Sequence, residues 1–127
     1  MDYPPQHLAA IHHAIVAHSF SANVTPVTVE AKVLQDADRM DALGAIGIAR
    51  CLLVGGKLDR QLYSRLDPLC EQREPDDNVY TIDHFFTKLL TLGESMQTQT
   101  AKTEAARRSH YMRGFLTQLQ SELPVSN

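Results

Sequence analysis

The sequence predicts an all-α protein whose 127 residues form a single domain, residues 1–127. Apolar residues recur at helical spacing in several segments, no segment shows the alternation typical of a strand, and no internal repeat divides the chain. A chain of this length can build one substantial hydrophobic core but not two. We therefore expect one helical domain.

Composition and charge restrict the classes of function. The apolar fraction of 43% and the charged fraction of 21% are typical of a globular protein. The net charge of −3, without a basic run, argues against a nucleic-acid partner. No apolar run approaches the ~20 residues that span a bilayer, and MDYPPQHL lacks the pattern of a signal peptide. The missing apolar run predicts that the chain has no membrane partner. The two cysteines have no metal-binding or redox spacing, so we expect a protein of the reducing cytoplasm.

The first predicted helix covers QHLAAIHHAIVAHS and begins after two prolines. His12 and His13 are expected at the surface of this helix. His18 continues the apolar face and precedes a loop, so it is either a core histidine or a functional group. The apolar face consists of Leu8, Ile11 and Ile15.

A second helical region begins after Thr28, which can cap a short helix with Glu30 in its first turn. A break near Gln35 or Asp36 is expected, although the pattern does not place it. A new helix then runs through Val54 and stops at Gly55–Gly56.

The stretch QDADRMDALGAIGIAR, residues 35–50, places three aspartates at the head of that helix. At about 100° per residue, Asp38 and Asp41 fall in line with an apolar stripe. Burying a carboxylate is costly unless a cation, a metal or strong donors meet it. Arg50 is predicted on the opposite side, so we expect no salt bridge to these aspartates. The apolar stripe consists of Ala45, Ile48 and Leu52.

Small residues in the same helix predict close packing against another helix. Gly44 and Gly47 each lower the stability of the helix by about 1 kcal/mol relative to alanine. A close contact with another helix would explain glycine at these positions. The small-residue surface consists of Ala42, Gly44, Ala45, Gly47 and Ala49.

The remainder of the chain predicts a polar excursion and two helices. Residues 57–80 are polar and are expected to hold a short helical piece. The next helix ends at Gly93 and has apolar residues at Ile82, Phe85, Phe86, Leu89 and Leu90. The last helix runs from about Ser95 to Glu122, and its middle is expected to be mostly polar and solvated, with Arg107 and Arg108 as surface charges. Its apolar side consists of Met112, Phe115, Leu116, Leu119 and Leu123.

The side chains with chemical potential are a histidine that ends one helix and aspartates that begin another. Serine-hydrolase, P-loop and GxGxxG motifs are absent. Imidazole and carboxylate ligands suit Mg, Mn, Fe, Co or Ni. Such a metal can polarise a phosphoryl oxygen or activate water.

A family resemblance is carried by the run AIVAHSFSANVTPVTVEAKVLQDADRMDALGAIGIAR and by DHFFTKLLTL and MQTQTAK downstream. These segments resemble the second half of the bacterial HD-domain phosphohydrolases, in the branch with an HSFS segment and a DADRxDAxGAIGIAR segment. The resemblance extends from about Ile11 to Glu122. It implies a helical HD-domain-like fold.

The resemblance also implies roles for individual residues. In this family a divalent metal is held by a histidine, a His-Asp dyad and a late aspartate. The late aspartate matches Asp38, with Asp36 as the alternative register. His18 resembles an additional catalytic histidine that faces the phosphate or a second metal. Asp41 would support a ligand or bind the substrate.

The chain departs from the family pattern in its upstream ligands. The first histidine and the His-Asp dyad should precede the helix of His18, but only 17 residues precede His18. No histidine in the sequence is followed directly by an aspartate, and the pair Asp83-His84 has the reverse order. We therefore expect the C-terminal part of an HD domain, without the N-terminal helices that carry these ligands. It would be a fragment or a natural short relative.

Two functional hypotheses follow. The first is a phosphohydrolase that acts on a phosphate ester or nucleotide through metal-activated water and is incomplete as an isolated chain, which should bind metal weakly. The second is a catalytically silent helical interaction or dimerisation module derived from the same fold. Loss of the N-terminal helices should expose apolar faces, so the expected partner is a second copy or the missing N-terminal half.

Overall fold

The computed structural model describes residues 27–124, and His18 with its predicted helix lies outside this range. Within residues 27–124 no β-strand forms, and Gln61 and Tyr80 make an isolated bridge. The prediction of an all-α fold is confirmed. The helices are α1 (Val29–Met40), α2 (Gly44–Lys57), α3 (a π-helical segment Phe85–Leu89 continued by the α-helical turn Leu90–Leu92) and α4 (Gln99–Glu122).

The start of α1 follows from its capping residues. Thr28 has an extended backbone, and its hydroxyl accepts a hydrogen bond of 3.0 Å from the N–H of Ala31. Glu30 lies in the first turn, where a carboxylate favours the positive end of the helix dipole. The predicted cap is confirmed.

The break between α1 and α2 lies later than the sequence pattern suggested. α1 continues through Gln35 and Asp36 to Met40, and residues 41–43 form the turn. The prediction of one helix from this point through Val54 is therefore wrong. The restart requires glycine, because Gly44 has a left-handed φ of +72°.

Two glycines of α2 are required by close contacts. A methyl group at Gly47 would lie 2.2 Å from the carbonyl oxygen of Ala42, in the turn that precedes α2. One at Gly55 would lie 2.1 Å from Thr81 Oγ1. The predicted stop at Gly55–Gly56 is wrong, because Gly55 packs against Thr81 inside a helix that extends to Lys57.

The segment between α2 and α3 is held by turns and backbone hydrogen bonds. No helix forms in the described residues 58–80, so the predicted helical piece is wrong. Gln61 donates to Val79 O at 3.0 Å and accepts from Thr81 N–H at 2.8 Å. The carboxylate of Asp67 accepts the N–H groups of the two residues at 71 and 72, which closes a turn in place of a helix.

The core lies between α2, α3 and α4. Phe85 and Phe115 stack with ring centroids 6.0 Å apart and an interplanar angle of 10°. The π-helical segment ends where the N–H of Leu90 donates to Phe85 O, five residues earlier. The buried apolar residues are Leu43, Ile48, Cys51, Ile82, Phe85, Leu89, Leu92, Met96, Ala101, Ala105, Met112 and Leu116.

The last helix begins at Gln99, later than the expected Ser95, because Thr98 caps it. Its middle is not uniformly solvated, since Ala101, Ala105 and Ser109 are buried and extend the apolar side of the helix. Small residues there allow α4 to pack closely. None of the helices in the described residues 27–124 combines the length and apolar character needed to cross a bilayer.

Candidate functional site

The three aspartates of the DADRMD segment occupy different environments. Asp36 is buried, with 4% of its surface exposed, whereas Asp38 and Asp41 are exposed. The predicted stripe that would align Asp38 and Asp41 with apolar residues of α2 does not form, because α1 ends at Met40 and α2 restarts at Gly44. Asp36 is therefore the buried carboxylate of this segment.

Asp36 joins α1 to the start of α4. One carboxylate oxygen accepts the N–H of Gln97 at 2.7 Å, and the other accepts the N–H and the hydroxyl of Thr98 at 2.9 and 2.8 Å. Nearby on α1, Arg39 Nη1 donates to Ser95 O at 3.1 Å. Three donors compensate the desolvation of Asp36, as a buried carboxylate requires. Its oxygens are engaged by hydrogen bonds within the fold.

Asp38 lies two residues further along α1 with its side chain at the surface. A metal centre needs more ligands than this one carboxylate. In residues 27–124 no three His, Cys, Asp or Glu side chains cluster as they would around a metal. These residues do not fit a complete metal centre by themselves. The role of Asp38 as a metal ligand therefore stays a prediction, and His18 lies outside the described residues.

Asp41 and Arg50 approach each other at the surface, contrary to the prediction. Arg50 Nη1 lies 3.3 Å from the carbonyl oxygen of Asp41 and 4.0 Å from its carboxylate. The angular estimate failed because it assumed an uninterrupted helix between the two residues. Both side chains are exposed, so this pair contributes little to stability.

Arg108 is a residue whose role the sequence did not indicate. It is partly buried, and its Nη1 donates to the carbonyl oxygen of Met40 at 2.9 Å, so it satisfies the last turn of α1. The prediction of a surface charge is wrong for Arg108. It lies seven residues after Ala101 and three after Ala105, the spacing of the buried side of α4. Arg107 is exposed and paired with Glu104, in agreement with the prediction.

A second buried carboxylate, Asp83, was also missed. Arg73 binds it through two nitrogens at 2.5 and 2.9 Å, and the N–H of Asp76 donates to it at 2.7 Å. Burial opposes its ionisation, but the hydrogen bonds from Arg73 and Asp76 outweigh burial and hold the pKa of Asp83 below its usual value. Arg73 also lies over the ring of Tyr80 at 4.9 Å. This cluster anchors the 58–80 segment to the start of α3.

The reversed pair Asp83-His84 does not act as a unit. His84 Nδ1 lies 2.8 Å from Asp77 Oδ2, which also accepts the hydroxyl of Thr87 at 2.8 Å. The hydrogen bond to His84, followed by that from Thr87, lowers the pKa of Asp77. The two adjacent side chains thus have separate partners, and both belong to the loop anchorage.

The chain is similar in sequence and in fold to a protein of Bacillus subtilis. No protein-family model matches the sequence. The uncharacterized protein YpgQ of Bacillus subtilis is 38% identical over 99 residues, which cover 78% of this chain and 42% of the relative. The crystal structure of Bacillus subtilis YpgQ in complex with ADP matches with a TM-score of 0.75 at 34% identity, over 96% of this chain and 55% of that one.

A second similar protein carries a family name. The crystal structure of an HD-superfamily hydrolase from Bacillus thuringiensis matches with a TM-score of 0.73 at 37% identity, over 94% of this chain and 55% of that one. This chain thus spans about half the length of the relatives it matches. Its all-helical fold is HD-like.

Proposed function

We propose that this chain supplies Asp38 as a metal ligand in a phosphohydrolase site of the HD type, acting on a phosphate ester or a nucleotide. The observation that carries the proposal is the contrast between the two aspartates of the DAD segment. Asp36 is buried between α1 and α4, whereas the side chain of Asp38 is exposed, where a metal and its other ligands can reach it. The HD-superfamily hydrolase of Bacillus thuringiensis and the ADP complex of YpgQ support the class of reaction and substrate.

In this proposal Asp36 positions the helix and Asp38 binds the metal. Asp36 holds the second half of α1 against the start of α4, so the helix that bears Asp38 has a fixed position. A ligand on a helix that is fixed in this way keeps its geometry when a metal binds. Asp41, in the turn after α1, is the candidate for supporting a ligand or binding the substrate.

A divalent ion, Mn, Mg, Fe, Co or Ni, would supply polarisation of a phosphoryl oxygen and activation of water. Asp38 would provide one oxygen ligand, and the remaining ligands would come from outside residues 27–124. His18 is the candidate for contacting or protonating the phosphate. Since a single carboxylate holds a divalent ion weakly, we expect weak metal binding by the isolated chain.

A chimera tests this function. The part of Bacillus subtilis YpgQ that this chain does not match is joined to this chain, and phosphate release from a nucleotide panel is measured with Mn. We expect hydrolysis that Asp38→Asn reduces by more than about 100-fold, because even groups that only support a ligand contribute about 10- to 100-fold. The matched control is Asp59→Asn, an exposed residue with φ of 57° that asparagine tolerates.

Two results would count against the proposal. Equal activity of the Asp38→Asn and Asp59→Asn chimeras would remove Asp38 from the site. Metal-dependent hydrolysis by the unmodified 127-residue chain would contradict the expectation that it is incomplete.

A second candidate is an interaction module, favoured by exposed apolar side chains on two helices. α2 is apolar on its buried side and also on its outer side, where Leu53 is 74% exposed. A helix with apolar residues all round is normally covered. The exposed large apolar residues of α1 and α2 are Val29, Val33, Leu34, Ile46, Leu53 and Val54.

The proposed occupant of this face is a second copy of the chain. Light scattering should show a homodimer that Leu53→Ser converts into a monomer. The control is Leu66→Ser, which changes an 87% exposed leucine in the 58–80 segment. A wild-type monomer across the concentration range, or a dimer that both variants retain, would exclude this assembly.

A further inference from the structure

A surface cavity lies between the first turn of α2 and one side of α4, and two arginines line it. Its volume is about 250 Å³. We call it the arginine cavity, and its lining residues are Gly44, Ala45, Ile46, Arg107, Arg108 and Tyr111. Neither the metal-ligand proposal for Asp38 nor the interaction face of α2 accounts for two cations on one wall.

Arg108 is held in place by contacts of its guanidinium group and of its aliphatic part. Its Nη1 donates to Met40 O at 2.9 Å, and its Nε lies 3.7 Å from a carboxylate oxygen of Glu104. The aliphatic part of Arg108 lies against Gly44, where a methyl group would lie 3.0 Å from Cγ. Glycine at position 44 therefore lets α2 approach this arginine closely. A guanidinium fixed in this way loses little freedom when it binds a ligand.

Arg107 adds a second cation beside the first. Its Nε and Nη2 are bonded to Glu104, and the side chain is largely exposed. Each guanidinium has five N–H donors, so hydrogen-bond donors of both arginines remain unused within residues 27–124. One carboxylate faces two guanidinium groups, which leaves the wall with net positive charge.

The remaining lining is apolar and aromatic. Tyr111 and Ile46 are both more than half exposed, next to the arginines. Arginines bind phosphate through pairs of N–H groups, and an exposed aromatic ring can stack on a planar base. We propose that the arginine cavity binds the phosphate groups of a nucleotide, with Tyr111 against the base. This inference rests on the proposed nucleotide substrate but concerns binding alone.

The test is a titration of the whole chain with pyrophosphate and with ADP, without metal, followed by amide chemical shifts. We expect both ligands to shift the amide signals of Gly44, Ala45 and Ile46. Arg107→Gln should weaken both by about tenfold, the loss expected for a charge-assisted contact. The control is Arg113→Gln on the same helix, whose only ion pair is a 4.0 Å contact with Glu94 in the described residues.

Two further variants separate the parts of the site. Tyr111→Ala should weaken ADP binding and leave pyrophosphate binding unchanged. Arg108→Lys keeps a charge and a donor for Met40 but loses the guanidinium, so it should weaken both ligands while the fold is retained. No shift of the cavity amides with either ligand, or equal affinities of Arg107→Gln and Arg113→Gln, would overturn the proposal.

These outcomes are separate from the test of the hydrolase site. Binding at the arginine cavity without hydrolysis by the chimera would leave this inference standing and remove the proposed activity. Hydrolysis that depends on Asp38, without any effect of Arg107→Gln on binding, would support the proposed activity and remove the arginine cavity as a binding site.

Discussion

Asp36 and Thr98 are joined by two hydrogen bonds, from the backbone N–H and the hydroxyl of Thr98, across 62 positions of the chain. Thr98 in turn caps α4 through the N–H of Ala101. Because residues two apart on a helix diverge by about 200°, Asp36 faces the core while Asp38 lies at the surface. The DAD motif therefore combines one buried residue that positions helices with one exposed residue.

Removal of the Asp36 carboxylate should destabilise the fold. Asp36→Ala leaves two N–H groups and a hydroxyl without their acceptor, and we expect a loss of about 2–4 kcal/mol in the free energy of unfolding. Asp38→Ala should change it by less than about 0.5 kcal/mol, as is usual at the surface. Urea denaturation measures both. Equal effects of the two variants would show that Asp36 does not hold α1 to α4.

Gly47 should tolerate no side chain. A methyl group there would lie 2.2 Å from Ala42 O, so Gly47→Ala requires the backbone to move, and we expect a loss of at least about 2 kcal/mol. Gly114 in α4 has open space around it, so Gly114→Ala should be neutral or stabilising by up to about 1 kcal/mol. Thermal melting of the two variants gives the comparison. A stable Gly47→Ala protein would mean that this turn is not tightly packed.

The ion pair of Asp83 should be the main electrostatic support of the loop between α2 and α3. Asp83 is 0% exposed, and its loss leaves Arg73 without its bidentate partner. We expect Asp83→Asn to cost about 3 kcal/mol, the typical effect of breaking a buried pair. Amide exchange should rise first in residues 58–80. Unchanged exchange there would contradict this role.

Acid should weaken the same support. The folded pKa of Asp83 lies below its ordinary value, so its stabilising contribution is complete above the unfolded pKa of about 3.9 and is lost as pH falls through the folded pKa. Asp77 has a lowered pKa and acts in the same direction. At pH values lower than about 4, the free energy of unfolding should therefore decrease. In Asp83→Asn this fall should be smaller, and an identical pH profile would exclude Asp83 as its source.

Local patterns predicted the elements whose causes are local. The cap at Thr28 and the apolar side of α3 needed only neighbouring residues, and both are confirmed. The turn before Gly44 was missed because a left-handed glycine and a helical glycine look alike in sequence. Asp83 was missed because its cation, Arg73, is ten residues earlier in an irregular loop.

In the candidate site, too, local sequence patterns do not show partners that lie far along the chain. The motif identified the DAD segment, but the division between Asp36 and Asp38 depends on donors near position 98, far along the chain. The sequence predicts a surface charge at Arg108, because its acceptor is the carbonyl of Met40, 68 positions away. His18 lies outside the described residues, and its role stays a prediction.

The most direct measurement is the affinity of the YpgQ chimera for Mn, followed by electron paramagnetic resonance, in variants that lose one or the other aspartate. If Asp38 is the metal ligand, Asp38→Asn should weaken Mn binding by more than about 100-fold. Asp36→Asn, studied at a temperature where it is folded, should retain most of the affinity. The reverse pattern, with binding lost in Asp36→Asn and kept in Asp38→Asn, would contradict the assignment of Asp38.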